Sequence, residues 1–195
     1  MHRVTGVVGL DMSLTSTGFA RIDLLDGTLE TWTFGTKEGA GSTIKRAKDI
    51  GMRILNVMKP DDFVFMEDYA FSIKPKASSV VTLGELGGVV KLLLSQFTGL
   101  MPFTLTTSEM RKFVSGHGDL KKEMIPVWTY KRYGREMHSH DECVASVLAD
   151  MGTHILEINQ PQYPMTGKHQ HEIIKRLRGK YLGALQSLAL EWRWL

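Results

Sequence analysis

The spacing of hydrophobic and polar positions changes along this chain between patterns typical of strands and of helices. This predicts an α/β order of elements. Short apolar runs are typical of buried strands, and they occur at 3–10, 63–66 and 103–105. The segments 19–24 and 29–34 flank Asp26-Gly27, a dipeptide strongly associated with tight hairpin turns. We therefore expect three antiparallel strands first and two further strands after them.

Apolar residues three or four positions apart predict helices between and after these strands. Ser42 can cap the first helix, which stops at Pro60. A later helical segment starts near Lys121, and Pro126 should interrupt or kink it. The other predicted helices lie at about 78–97, 108–114 and 139–154, with a basic one at the C-terminus.

Length and composition predict one globular core. The chain has 195 residues, of which 43% are hydrophobic, so it is long enough for one well-packed domain and short for two. We expect a main domain over residues 1–158 and a basic extension over 159–195 with a helix on or near the core. The lone Cys143 excludes a disulfide framework and suits a reducing compartment. We find no signal sequence and no apolar run of about 20 residues, so we expect a cytoplasmic protein without a membrane partner.

Three acidic residues stand where predicted elements can aim them at one point. Asp11 and Glu67 each end an apolar run, so both should project from the tips of buried strands. Asp141 opens an apolar helical segment, and His138 shares its face if that turn is already helical. A single acid at such a position is more often a helix cap or a solvated charge. The combination of three acids indicates a cation site.

Clustered carboxylates predict a divalent metal and phosphodiester chemistry. The anions destabilise a fold unless a cation neutralises them, and their hard oxygen atoms suit Mg²⁺ or Mn²⁺. Two such ions about 4 Å apart can clamp both the attacking and the leaving oxygen of a phosphodiester. We therefore expect Mg²⁺ as the cofactor, with Mn²⁺ able to substitute.

The net charge of +3 is unevenly distributed along the chain. Residues 111–135 carry seven basic and two acidic side chains, and the chain from Lys168 onward carries six and two. A basic tract beside an acidic metal site suits a nuclease, because the tract can hold the DNA backbone that the site cuts. The alternative is that these basic side chains are solvated helix faces.

Four blocks of the sequence resemble the RuvC family of Holliday junction resolvases, in the family's order and spacing. Residues 9–20 hold a strand-end aspartate before a Leu-Thr-x-Thr-Gly turn. The other blocks are the catalytic block at 65–71 with the Gly-rich helix at 83–88 after it, the Gly-x-Gly-x-x-Lys-Lys-Glu block at 115–123, and the acidic motif at 138–146. The resemblance covers about residues 4–155.

The resemblance implies an RNase H-like fold, with a mixed five-stranded sheet and helices on both faces. It also implies a homodimer that nicks branched DNA symmetrically with Mg²⁺ and leaves 5′-phosphate ends. By motif match the metal ligands are Asp11, Glu67, Asp141 and His138. His138 takes a position often held by a fourth acid, and it can act as a ligand or in proton transfer. We expect the neighbouring His140 and Glu142 to point elsewhere.

The family match also implies contacts with DNA. Lys121 and Lys122 match the family's lysine pair beside the scissile phosphate, which makes Lys122 a catalytic candidate. Tyr69 and Phe71 follow the second acid, where the family uses an aromatic side chain to stack on a base at the junction centre. The register does not decide between these two aromatics. The remaining DNA-binding candidates are Thr15, Arg111 and Lys112.

The sequence argues against three other functions. A sugar-kinase or actin-like ATPase would need a second phosphate-binding half, which is missing from the sequence. A non-catalytic protein that binds branched DNA would gain nothing from an unneutralised acidic cluster. An RNase H-like nuclease acting on RNA or RNA–DNA hybrids is a third alternative, against which the block at 115–123 argues. The sequence around Glu67 and His138 also resembles bacteriophage-encoded members of the family.

Overall fold

The computed structural model describes residues 2–37, 39, 41–68, 77–158 and 161–193. Its strands are β1 (His2–Arg3), β2 (Gly6–Asp11), β3 (Thr17–Asp23), β4 (Leu29–Phe34), β5 (Asp62–Glu67), β6 (Phe103–Leu105) and β7 (Trp192–Arg193). Its helices are α1 (Thr43–Val57), α2 (Ala77–Thr98), α3 (Thr107–Ser115), α4 (Ile125–Tyr133), α5 (His140–Ile155) and α6 (Lys168–Glu191), with a 3₁₀ turn at Lys122–Met124.

Five of the described strands form one mixed sheet in the spatial order β4, β3, β2, β5, β6. The central strand β2 runs antiparallel to β3 and parallel to β5. β4 pairs antiparallel with β3 in a hairpin around Asp26-Gly27, and β6 pairs parallel with β5. The short strands β1 and β7 pair with each other. The predicted mixed five-stranded sheet is confirmed.

Helices cover both faces of this sheet, as the sequence predicted. Side chains of a strand alternate between the two faces, so residues of equal parity share a face. Val8 and Leu10 of β2 are buried with side chains of α1 and α2. Val7 is buried on the opposite face with side chains of α3, α5 and α6. Asp11, at the end of β2, has the parity of Val7 and therefore faces α5.

Two glycines let α5 approach the sheet at backbone distance. A Cβ at Gly9 of β2 would lie 1.9 Å from the Ala145 carbonyl oxygen of α5. A Cβ at Gly18 of β3 would lie 2.0 Å from the Asp141 carbonyl oxygen, at the start of the same helix. No side chain fits at either glycine, because real Cβ atoms do not make contacts this short. The start of α5 therefore sits directly on the ends of β2 and β3.

The C-terminal helix α6 packs on the same hydrophobic core. Its residues Ile173, Ile174 and Leu177 are buried with side chains of α3 and α5. The Tyr181 hydroxyl donates a hydrogen bond to a β6 carbonyl, and its ring meets Phe103 edge-on with centroids 5.0 Å apart. The helix thus covers the sheet at its edge strand β6, which would otherwise be exposed to strand pairing.

A buried ion pair joins β3 to β5 at the end of the sheet opposite Asp11. The Arg21 guanidinium of β3 donates two hydrogen bonds of 2.9 Å to Asp62 of β5 and one of 2.8 Å to Asp23. This pairing lowers the pKa of Asp23 to about 2, against the effect of partial burial. Fixed geometry at this end holds the register in which β2 and β5 run side by side.

None of the helices in the described part of the chain is both long and apolar enough to span a bilayer.

Replacing Gly18 by Ala should destabilise the fold, because the new methyl group has to displace the backbone of α5. We expect the free energy of unfolding to fall by about 1–3 kcal/mol, measured by urea denaturation. Gly179→Ala in α6 is the matched control, since a Cβ there meets no atom within 4 Å. The control should gain about 0.5–1 kcal/mol from helix propensity. Equal stability of both variants would contradict the proposed role of the α5 contact.

Candidate active site

Asp11 and Glu67 come together because they end neighbouring parallel strands. The register pairs Leu10 of β2 with Met66 of β5, so the residues that follow lie side by side. Asp11 and Glu67 point to the face of the sheet that α5 covers, since each has the parity of the α5-facing residues on its strand. The hydroxyl of Thr107, the first residue of α3, donates a hydrogen bond to the Glu67 carboxylate. The position of Glu67 is therefore set by the pairing of its strand and by the hydrogen bond from Thr107.

Asp141 reaches the same point from the first turn of α5. The helix begins after Ser139, whose hydroxyl accepts a hydrogen bond of 3.1 Å from the Glu142 amide. The Ser16 hydroxyl, in the turn between β2 and β3, donates a hydrogen bond to the Asp141 carboxylate. The contact between α5 and Gly18 places Asp141 beside Asp11, since Gly18 is the residue paired with Asp11 across β2 and β3.

His140 completes the cluster. Ligand atoms of Asp11, His140 and Asp141 all lie within 4.8 Å of one another, which is close enough for one metal ion. Both ring nitrogens of His140 are shielded from solvent and have no hydrogen-bond partner among the described residues. The Nδ1 atom lies 3.6 Å from an Asp141 carboxylate oxygen, too far for a strong hydrogen bond. A metal ion would satisfy the ring, so the donor set fits a divalent cation of borderline hardness.

The structure places His138 outside this group of ligand atoms, and its role in the site stays a prediction. The prediction required the turn at 138 to be helical, but α5 begins at His140 and Ser139 is extended. The His138 side chain is exposed, and its backbone amide donates to the Glu142 carboxylate. The expectation that His140 points elsewhere is wrong, because its ring lies in the cluster. Glu142 does point away from Asp11, since its carboxylate accepts a hydrogen bond from Thr33 of β4.

The carboxylates repel one another strongly. Burial, followed by the negative charge of Glu67 and then that of Asp141, raises the pKa of Asp11 to about 9. The nearby His140 ring and the Ser16 hydroxyl lower the pKa of Asp141. Asp11 thus holds a proton at neutral pH in the metal-free protein, and a bound cation would displace it.

The cluster opens into a cavity of about 360 Å³ with basic side chains on its rim. Lys122 lines this cavity, and its positive charge opposes the rise in the pKa of Asp11. Arg111 of α3 also lines it, with a shielded Nε atom that has no hydrogen-bond partner among the described residues. The arrangement places cations beside a metal-type acidic cluster, so it can hold a phosphate over the carboxylates.

Comparisons with known proteins show which proteins the chain is similar to. A curated crossover junction endodeoxyribonuclease RuvC of Wolbachia sp. subsp. Brugia malayi (strain TRS) is 27% identical over 131 residues, 63% of this chain and 76% of that protein. The chain is also similar to a solved structure of Thermus thermophilus RuvC, with a TM-score of 0.59 and 16% identity over 88% of this chain and 96% of that one. No protein-family model matches the chain.

A second solved structure, T. thermophilus RuvC in complex with a Holliday junction substrate, gives a TM-score of 0.62 at 15% identity. It covers 89% of this chain and 96% of that one. The two structural matches show the shared fold, which confirms the predicted RNase H-like architecture. The chain is therefore similar to RuvC proteins in sequence and shares their fold.

The structure separates the predicted DNA-binding residues of this RuvC-like chain into two groups. Lys122 and Arg111 line the cavity, whereas Lys112 and Lys121 are exposed residues next to them. Thr15 is exposed, and its hydroxyl lies 3.2 Å from that of Ser13. Tyr69 and Phe71 lie outside the described residues. The DNA-binding roles of all these side chains stay predictions.

Sequence reasoning missed three residues of the site, which are His140, Thr107 and Ser16. A helix-capping pattern in the sequence precedes the first two. Ser139-x-x-Glu142 is a capping pattern, and it would have started α5 at His140. The same pattern at Thr106-x-x-Glu109 starts α3 and places Thr107 beside the strand tips. Ser16 carries no such signal, because its contact with Asp141 depends on how α5 lies on the sheet.

Replacing Asp11 by Asn should stabilise the metal-free protein, and more so at high pH. The unfolded chain ionises Asp11 near its ordinary pKa of 3.8, whereas the folded state holds the proton up to about 9. The native protein therefore loses stability as pH rises through this window. We expect the variant to raise the Tm in EDTA by about 5 °C at pH 8, with a smaller gain at pH 5. A gain independent of pH, or one shared by the exposed control Asp49→Asn, would contradict the repulsion.

Replacing His140 by Ala should weaken Mn²⁺ binding, because it removes a ligand that lies in the cluster. We expect the Kd, measured by isothermal titration calorimetry, to rise roughly 10- to 100-fold. His138→Ala is the matched control and should change it less than about twofold, as its side chain is exposed. The reverse order of effects would restore His138 to the site.

Proposed function

We propose that this protein is a metal-dependent, structure-specific endonuclease that nicks Holliday junctions and other branched DNA. The observation that carries the proposal is the convergence of Asp11, Glu67, His140 and Asp141 at one point beside Lys122 and Arg111. The names of the similar proteins support the substrate class, since one is a crossover junction endodeoxyribonuclease and another was solved with a Holliday junction substrate.

The cofactor we propose is Mg²⁺, with Mn²⁺ able to substitute. Asp11, Glu67, His140 and Asp141 would hold the ion or ions, because they supply three hard carboxylates and one imidazole in a single cavity. When bound, a divalent cation would lower the pKa of a water molecule and stabilise negative charge on the departing 3′ oxygen. The imidazole favours Mn²⁺ binding at this site, because imidazole suits softer ions better than it suits Mg²⁺.

The protein's own side chains would then do the positioning. Thr107 and Ser16 fix the Glu67 and Asp141 carboxylates by hydrogen bonds, so that their oxygens need not reorganise during the reaction. Lys122 and Arg111 would bind the scissile phosphate and hold the DNA backbone in the orientation that in-line hydrolysis needs. The products would carry 5′ phosphates.

We further propose that a homodimer makes the two symmetric nicks, one at each active site. Leu86 and Val90 of α2 face their own sheet and are buried there. The opposite side of α2 is open. Val81 and Leu92 are 61% and 57% exposed, and Gly84 and Gly88 between them have no atom within 4 Å of a built Cβ. This flat apolar stripe suits close packing against the same helix of a second copy.

Two alternatives are less well supported. A non-catalytic junction-binding protein has no use for the repulsion that raises the pKa of Asp11. A nuclease for RNA or RNA–DNA hybrids shares the fold, but the similar proteins named above are junction enzymes by name or by bound substrate. A cytoplasmic location and a bacteriophage source stay predictions from the sequence.

Junction cleavage tests the proposed function. End-labelled four-way, three-way and linear duplex DNA would be incubated with the protein in Mg²⁺, Mn²⁺ or EDTA, and the cut positions mapped. We expect paired symmetric nicks in the four-way junction, lost in EDTA and reduced by about 10³-fold in Asp11→Asn. The exposed control Asp49→Asn should cut normally. Tight junction binding with no cleavage in either metal would leave a structure-specific binding protein.

Replacing Leu92 by Glu should break the dimer, because it places a charge in an apolar contact. Light scattering after size exclusion should report a dimer for the native protein and a monomer for the variant at micromolar concentration. Leu25→Glu is the control, since Leu25 is 67% exposed in the β3–β4 turn, outside α2. A native monomer, or a variant that remains dimeric, would remove the α2 stripe as the interface.

A further inference from the structure

A second cavity, of about 420 Å³, lies against α4 and takes no part in the proposed reaction. Trp128, Lys131 and Arg132 of α4 line one side of it. Thr166, His169 and Gln170, from the chain before α6 and its first turn, line another. We call this cavity the Trp128 pocket. Its volume falls within the range of small-molecule sites and is large enough for one nucleotide.

The Trp128 pocket is next to the candidate active site. Ile125 lines the active-site cavity, and Trp128 lies three residues later on the same side of α4, about 4.5 Å along the helix axis. His169 lies 3.6 Å from the position of a Cβ on Gly116, in the loop that leads to Lys122. A DNA strand held at Lys122 therefore has the pocket within reach of its adjacent nucleotides.

Trp128 offers a fixed aromatic surface. The indole is half-buried and packs against the main core, so it is not free to turn away. The exposed Lys131 places its ammonium 4.6 Å from the ring centroid. A stacked base interacts with an aromatic ring more strongly than an exposed ammonium does. A base can therefore displace Lys131 from the ring, which frees the ammonium to bind the phosphate of the same nucleotide.

The polar groups around the indole suit a base rather than a bare anion. Arg132 supports the wall, because its guanidinium already pairs with Asp150 and donates to the Tyr163 carbonyl at 2.9 Å. Gln170 is 4% exposed, and its Oε1 accepts from the Thr166 and Gly167 amides at 2.9 and 3.0 Å. These two bonds fix the amide plane of Gln170, so that its side-chain NH₂ would be the group available to an acceptor on a base edge.

We propose that the Trp128 pocket binds one unpaired nucleotide next to the cut strand position, with its base on the indole and its phosphate on Lys131. The proposal rests on the proposed function and deepens it. Branched DNA is a suitable source, because a nucleotide at a branch point has lost stacking and costs less to extrude than one inside a duplex. The pocket would fix the strand beside the active site without reading its sequence from the grooves.

Direct nucleotide binding tests the pocket apart from cleavage. Thymidine 5′-monophosphate, thymidine and inorganic phosphate would be titrated into Asp11→Asn protein in EDTA, which removes any metal that could recruit a phosphate. We expect a saturable shift of one tryptophan indole N–H signal in NMR spectra with the nucleotide. Trp128→Leu should lower the nucleotide affinity about tenfold, and Trp128→Phe, which keeps a ring, should lower it far less.

The controls separate the pocket from general surface effects. Lys131→Ala should weaken nucleotide and phosphate alike, whereas Lys48→Ala on α1 should weaken neither. Tyr130→Ala removes an exposed aromatic of the same helix outside the pocket and should leave binding unchanged. Equal affinities for nucleotide and phosphate, or no loss in Trp128→Leu, would overturn the proposal. Nucleotide binding by a protein that cuts no junction would keep the pocket and remove the nuclease, while cutting without nucleotide binding would do the reverse.

Discussion

The close approach of α5 to the sheet is the constraint on which the active site depends. Gly9 and Gly18 leave no room for side chains, so the helix backbone rests directly on β2 and β3. That contact carries Asp141 to within ligand distance of Asp11, a residue 130 positions away in the chain. The register of β2 and β5 adds Glu67 independently, since it follows from strand pairing alone. Both contacts lie at the same end of the sheet, and the buried Arg21–Asp62 pair fixes the other end.

Charge repulsion is the consequence of that geometry. The fold buries Asp11 beside two other carboxylates, and burial, followed by the negative charges of Glu67 and Asp141, raises its pKa. Hydrogen bonds from Ser16 and Thr107 orient the acids without neutralising them. The shielded nitrogens of His140 remain without partners among the described residues. A divalent cation would offset the negative charge of the carboxylates and bind one of these nitrogens.

The sequence alone was sufficient to predict the strands of the sheet and the order of elements along the chain. It also predicted that Asp11 and Glu67 end strands and that Asp141 opens a helix. Period-two runs and the Asp26-Gly27 turn depend on local chemistry, and so does the ending of strands at Asp11 and Glu67. His140, and not His138, lies in the cluster because α5 begins at His140 and Ser139 before it is extended. The outward face of α2 and the contact of Ser16 with Asp141 could not be predicted, since each depends on how elements pack at long range. Pro126 is the second residue of α4, so it lies in the first turn of this helix and does not kink a longer one.

The most direct measurement is a crystal structure of the protein soaked with Mn²⁺, with anomalous scattering to locate the ion. Our account predicts an anomalous peak within coordination distance of Asp11, Asp141 and His140, at about 2.0–2.3 Å from the ligand atoms, with Glu67 beside it. Such a peak would show that the contact of α5 with Gly18 builds a metal site. A peak coordinated by His138, or none near Asp11 in a crystal that binds Mn²⁺ elsewhere, would contradict the account.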